Sequence, residues 1–204
     1  MCKKIFVVLF VLFLGSSSVH ATSVKPVNIE VLTQLSQYIV KAEVVGIQTE
    51  VDEYESGSLV TYYTLKVDDW IKGGPLSDDN IIVIKQLADG DYANAEGVKL
   101  RQRLFFPQYQ KNRSYVFFLP KPHHVTGLLA PIGLWQGVFD VEYDAEGNAV
   151  LPQLKSPRRA GILGKGLKKG SKNKFASLKG SSGEGKDTSY LSFKSMVKAL
   201  VKPE

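Results

Sequence analysis

Cysteine is almost absent from this chain of 204 residues, and the one copy is Cys2. It stands before an apolar run and not at its end, so it is misplaced for lipid attachment. Once the N-terminal leader is removed, the chain has no thiol for a disulfide, a metal or a covalent intermediate. Stability must then come from a hydrophobic core. Histidine is nearly as scarce: beyond the leader only His123 and His124 remain. A zinc site needs a third ligand at a recognisable interval, and no H-x-x-x-H spacing or further histidine supplies one. A hydrolytic triad meets the same obstacle, because no serine sits in G-x-S-x-G and these two rings are the only imidazole bases. A solvated loop pair is the simpler reading.

Long apolar runs are missing after residue 14, so no later segment is suited to span a bilayer. What stands before that point is Lys3-Lys4, then ten apolar residues from Ile5 to Leu14, then Gly15-Ser16-Ser17-Ser18 and Val19-His20-Ala21. That order predicts a secretory signal peptide over 1–21, cleaved after Ala21, and an exported protein, periplasmic or secreted. The 183 residues from 22 to 204 suffice for one domain with a real core plus appendages. Acidic residues are rare toward the C-terminus: residues 22–150 hold 11 Lys and Arg against 17 Asp and Glu, whereas residues 151–204 hold 13 against 3. Two such parts face different surroundings or partners.

The pattern along the chain is mainly β. A short helix over Asn28–Ser36 is capped by Asn28. Period-two segments follow at Tyr38–Gln48, Leu59–Val67, Asn80–Leu87, Val98–Phe106 and Ser114–Leu119, separated by Gly, Pro, Asn and Asp. Two further strands, Leu134–Tyr143 and Asn148–Leu151, flank Asp144-Ala145-Glu146-Gly147, a hairpin turn ending in glycine. Residues 22–152 thus read as one β domain. The segment 153–187 is rich in Gly, Ser and Lys with little apolar periodicity, and reads as a flexible basic linker. In 188–204 the pattern returns, with Tyr190, Phe193, Val197, Leu200 and Val201 on one face of an amphipathic helix.

Chemistry-bearing motifs are few. Gly161 and Gly166 have phosphate-loop spacing, but Leu167 and Lys168 stand where Lys and Ser or Thr are needed. Arg158, Arg159, Lys165, Lys168, Lys169, Lys172 and Lys174 are candidate contacts for anionic lipid or another polyanion. Specific nucleic-acid binding is not expected, because Phe175 is the only aromatic between Lys155 and Lys186. The acid pairs Asp52-Glu53, Asp68-Asp69 and Asp78-Asp79 do not suit acid–base catalysis on regular strands, where adjacent residues face opposite ways. Asp68-Asp69 reads as the fraying end of the strand that starts at Leu59. Asp89-Gly90-Asp91 lacks the acidic spacing of a dedicated calcium loop.

The order of patterns resembles a group of poorly characterised exported bacterial proteins. The residues that carry it are Tyr38–Gly46 (YIVKAEVVG), Thr61–Val67 running into Trp70-Ile71-Lys72-Gly73, Ile81–Lys85 (IIVIK), Phe105-Phe106 ahead of Tyr115–Leu119 (YVFFL), and Gly133–Phe139 (GLWQGVF). Those proteins look like small β-barrels of the OB type, similar in outline to the inhibitory domain of tissue inhibitors of metalloproteinases. The resemblance implies an OB-like closed or partly open barrel of five to six strands. It departs at Gln86-Leu87-Ala88-Asp89-Gly90, where a Gly-Gly is common, and at Lys111-Asn112-Arg113, which replaces a turn glycine with an asparagine that also tolerates left-handed backbone. The inhibitors engage zinc through a disulfide-held N-terminal cysteine, which is absent here, so that mechanism does not carry over.

The resulting expectation is a non-enzymatic exported binding module with no cofactor, taking a protein or glycan of the cell envelope through the barrel face and loops. Tyr54 and Tyr92 are its candidate rim contacts. The alternatives are a structural protein tethered to the envelope by the basic segment and terminal helix, and a carboxylate-based hydrolase.

Overall fold

The computed structural model of the chain describes residues 25–52, 57–75, 78–93, 97–104, 106–181 and 188–201; the expected leader and Tyr54 lie outside them. Helix α1, Ile29–Leu35, starts at Asn28, whose side chain accepts the Val31 N–H at 2.9 Å. At its other end Lys72 Nζ donates to the carbonyls of Thr33 and Ser36 at 2.9 and 2.6 Å, satisfying acceptors that a helix C-terminus leaves open.

The fold is mainly β. Strands β1 (Tyr38–Asp52), β2 (Ser58–Lys72), β3 (Ile81–Leu87), β6 (Ser114–Leu119), β7 (Val138–Tyr143), β8 (Ala149–Leu151) and β9 (Thr188–Ser189) form an antiparallel sheet in the order β3-β2-β1-β6-β7-β8-β9. β4 (Gly90–Ala93) and β5 (Lys99–Gln102) pair separately. The edges β3 and β9 do not pair, so among the described residues strand pairing leaves the sheet open and does not close a barrel. The segment after β6 partly spans that gap: the Leu129 N–H donates to the Lys85 carbonyl at 2.8 Å, and the Ile132 N–H to that of Phe118 at 2.9 Å.

Strand β6 shows why both faces of this sheet are apolar. Tyr115, Phe117 and Leu119 point to one side, with Val40, Ala42, Tyr63 and Leu65. Val116 and Phe118 point to the other, with Ile39, Phe139 and Val141. A strand buried on both faces has no polar alternation, and this one is buried continuously from Tyr115 to Leu119. The predicted hairpin is present, with Tyr143 opposite Ala149, Gly147 at φ 81° and the Asp144 carboxylate accepting the N–H groups of Glu146 and Asn148. Asn112 takes φ 63°, the left-handed conformation its type tolerates. Leu134–Gly137 is a 3-10 turn rather than strand; a Cβ on Gly137 would lie 2.3 Å from the Ile132 carbonyl oxygen, so only glycine fits.

Two readings are corrected. First, 153–187 is not a flexible linker over its described length. It carries a 3-10 turn (Pro152–Lys155), α2 (Pro157–Gly164) and α3 (Lys169–Ser181), and buries Leu154, Leu163, Phe175 and Leu178 in the core on the β6–β7 sheet. The few apolar residues there are spaced to reach one stripe, and Ser156 caps α2 with Pro157 in its first turn. Burial thus overrides a composition that suggests disorder. The terminal helix α4, Tyr190–Lys198, completes this layer through Tyr190, Phe193, Met196 and Val197. Second, β2 does not fray at Asp68-Asp69 but runs on to Lys72.

Candidate binding cavity

The register of β1, β2 and β3 builds a polar rung inside the apolar sheet. Thr49 lies opposite Thr61, and Thr61 opposite Gln86; the adjacent rung is Ile47, Tyr63 and Ile84. Residues two apart share a face, so this rung continues the side that holds Tyr63. The two threonine hydroxyls are 2.8 Å apart. The segment 106–109 folds across them, and the Gln86 Nε2 group donates to the Pro107 carbonyl at 2.7 Å. Between the strands and this segment lies a cavity of about 240 Å³, lined by Thr49, Thr61, Tyr63, Gln86, Phe106 and Tyr109 among others, with Asp89 the only carboxylate among the described residues that line it.

Tyr109 packs edge-on to Tyr63 and Phe117, with ring centroids 4.8 and 5.1 Å away. It is 5 % exposed and Gln86 is 3 % exposed. The Tyr109 hydroxyl and the Gln86 Oε1 are both buried without a hydrogen-bond partner among the described residues. Each such atom costs about 1–3 kcal/mol, so their presence together beside a cavity calls for a functional account. Burial pushes the Tyr109 phenol far up, as do the neighbouring hydroxyls of Tyr63 and Tyr115. Burial also raises Tyr63. Both phenols stay neutral at physiological pH, and the cavity offers hydroxyls, an amide oxygen and aromatic walls.

A second polar group lies on the opposite side of the sheet. Lys41 pairs with Asp69 while Ala42 pairs with Val67, so Asp68 is the extra residue of a β-bulge. The bulge brings both acids to the helix-covered side, against the expectation for a regular strand. Asp68 accepts from Lys41 at 3.0 Å; Asp69 accepts from the Tyr190 hydroxyl at 2.7 Å and from Lys194. Burial would raise the Asp69 carboxyl, but the hydrogen bonds from Lys194 and Tyr190 hold it below the ordinary carboxylate value. Each acid is matched by a cation, which makes the cluster a clamp between α4 and β2 rather than a pair of acid–base groups in unlike environments.

Tyr92 sits half-buried on β4 opposite Leu100 and does not line the cavity. Among the candidate polyanion contacts, Arg158, Lys165, Lys168, Lys169, Lys172 and Lys174 are exposed on or beside α2 and α3. Lys174 is partly committed, donating to the Ala199 carbonyl at 3.1 Å, and Lys168 lies 3.8 Å from Glu30. Arg159 turns inward instead. Its guanidinium donates to the carbonyls of Trp135 and Val138, lies 4.6 Å from the Phe139 ring centroid, and is lowered in pKa by burial. His123 is exposed, with Nδ1 3.0 Å from the Thr126 hydroxyl. Asp89 and Asp91 are paired with Arg103 and Arg101. Among the described residues, no three His, Cys, Asp or Glu side chains group as metal ligands, and no helix is long and apolar enough to cross a membrane.

Thr49, Thr61, Gln86 and Tyr109 carry no sequence motif. No protein-family model matches the chain, and no curated protein is significantly similar to it.

Proposed function

We propose that the chain is an exported, non-enzymatic binding module whose β domain takes a protein or glycan ligand of the cell envelope in the cavity between β1–β3 and the 106–109 segment. The observation that carries this reading is the pair of buried, unpartnered polar atoms on Gln86 and Tyr109 beside a volume able to admit a ligand group. Among the described residues of the lining, a single carboxylate and no histidine favour binding over acid–base chemistry. The reading includes an OB-like, partly open barrel: β1 lies between β2 and β6, and the Leu129–Lys85 hydrogen bond draws the later segment toward the free edge of β3.

The test is capture from an envelope fraction by the immobilised chain and by an Ala88→Leu variant, in which the larger side chain enters the cavity that Ala88 lines. With both proteins shown to be equally folded by circular dichroism, a species retained by the wild type and lost by the variant is the expected result. Equal retention by both overturns the reading.

A further inference from the structure

Resting on that reading, we propose that the cavity recognises the acetamido group of an N-acetylated amino sugar. The ligand chemistry follows from which atoms are already engaged. Gln86 Nε2 is held by the Pro107 carbonyl at 2.7 Å, which fixes the side-chain amide and leaves Oε1 as a pure acceptor in need of a donor. The Tyr109 hydroxyl supplies a proton and needs an acceptor. A ligand that satisfies both must present a donor and an acceptor, and a secondary amide carries the two in one rigid group.

Charge and size narrow the choice. Tyr63 and Tyr109 keep their protons at physiological pH, and Asp89 is matched by Arg103 at 3.5 Å. An ionised ligand would lose its hydration without a counter-charge. Phe106 and Ile47 offer an apolar wall to a methyl group. The Thr49 and Thr61 hydroxyls, already bonded to each other, retain lone pairs for ring hydroxyls. A volume of 240 Å³ equals about eight water molecules at ~30 Å³ each. That admits one acetamido group with part of its ring and is too small for an extended peptide.

The experiment is a ¹H–¹⁵N NMR titration of the full mature chain with three probes: methyl N-acetyl-β-glucosaminide, methyl β-glucoside and N-acetylalanine N′-methylamide. The expected result is saturable shifts of the Gln86 side-chain amide and of the Thr61 and Tyr109 backbone amides with the acetamido sugar. The glucoside should bind at least tenfold more weakly, and Tyr109→Phe should weaken the acetamido sugar at least tenfold. Tyr109→Phe removes a hydroxyl with no partner to lose, so the variant keeps its fold. Equal binding of the glucoside, or undiminished binding by Tyr109→Phe, overturns the assignment. Tighter binding of the peptide amide at the same residues overturns the sugar while leaving the cavity as a ligand site. Absence of any shift at these residues also overturns it, and the Ala88→Leu capture then decides separately whether the cavity binds anything.

Discussion

The two faces of the central sheet are built from the same strands and treat polar atoms differently. On the helix-covered face the core is largely aliphatic and phenylalanine; among the described residues its one tyrosine, Tyr190, gives its hydroxyl to Asp69, and Arg159 Nε is buried without a partner on a guanidinium otherwise bonded to the Trp135 and Val138 carbonyls. On the opposite face three tyrosines, Tyr63, Tyr109 and Tyr115, cluster beside a cavity, and the Tyr109 and Gln86 atoms stay unpaired. Both faces thus hold a buried unpartnered polar atom, and the aromatic face holds two, a neutral amide oxygen and a neutral hydroxyl, in the lining of one cavity. On the proposed reading the helical layer serves stability and the aromatic side ligand recognition, and three measurements can break or sharpen that division.

The largest effect belongs to the helical layer. Phe193 is fully buried, with its ring centroid 5.1 Å from that of Phe139 and 6.3 Å from that of Phe118. Phe193→Ala should cost about 3–5 kcal/mol in urea denaturation, the usual range for a buried phenylalanine. A loss below about 1 kcal/mol would mean that the C-terminal layer is peripheral, as a tether would be, and the division would fail.

How much of this was legible in the sequence depends on how far apart the partners lie. The period-two strands, the Asp144–Gly147 turn and the helical stripe of Tyr190, Phe193 and Val197 depend on local spacing, and each was readable. The bulge at Asp68 was not, because register belongs to the partner strand: only the pairing of Lys41 with Asp69 reveals it. The helices over 157–181 were hidden for a related reason. Glycine and lysine content argues against an isolated helix there, and only the contact of Leu163, Phe175 and Leu178 with a distant sheet offsets it. Gln86 and Tyr109 meet across a segment that no motif marks.

A middle-sized effect tests the clamp that joins the two halves. Asp69→Asn should cost about 1–2 kcal/mol at pH 7, the value of charge-assisted hydrogen bonds reduced for partial exposure. The pH dependence gives a second reading. The folded carboxyl is held below its ordinary value of about 4, so its stabilisation is fully present above that value and is lost as pH falls through the folded pKa. The wild type and Asp69→Asn should therefore differ at pH 7, and their denaturation midpoints should converge as pH falls from about 4 through the folded pKa. A constant difference across that range would show that the clamp acts through packing and not through charge.

The smallest effect has the opposite sign. If the aromatic face is kept imperfect for a ligand, removing its unpaired hydroxyl should stabilise the free protein. Tyr109→Phe should gain about 1 kcal/mol, the low end of the penalty for a buried unsatisfied group, seen as a Tm higher by about 2–4 °C for a chain of this size. On the proposed reading the same substitution weakens ligand binding, so stability and recognition should move in opposite directions at one atom. A variant less stable than the wild type would show that the hydroxyl is already satisfied by buried water. The contrast between the two faces would then be one of hydration alone.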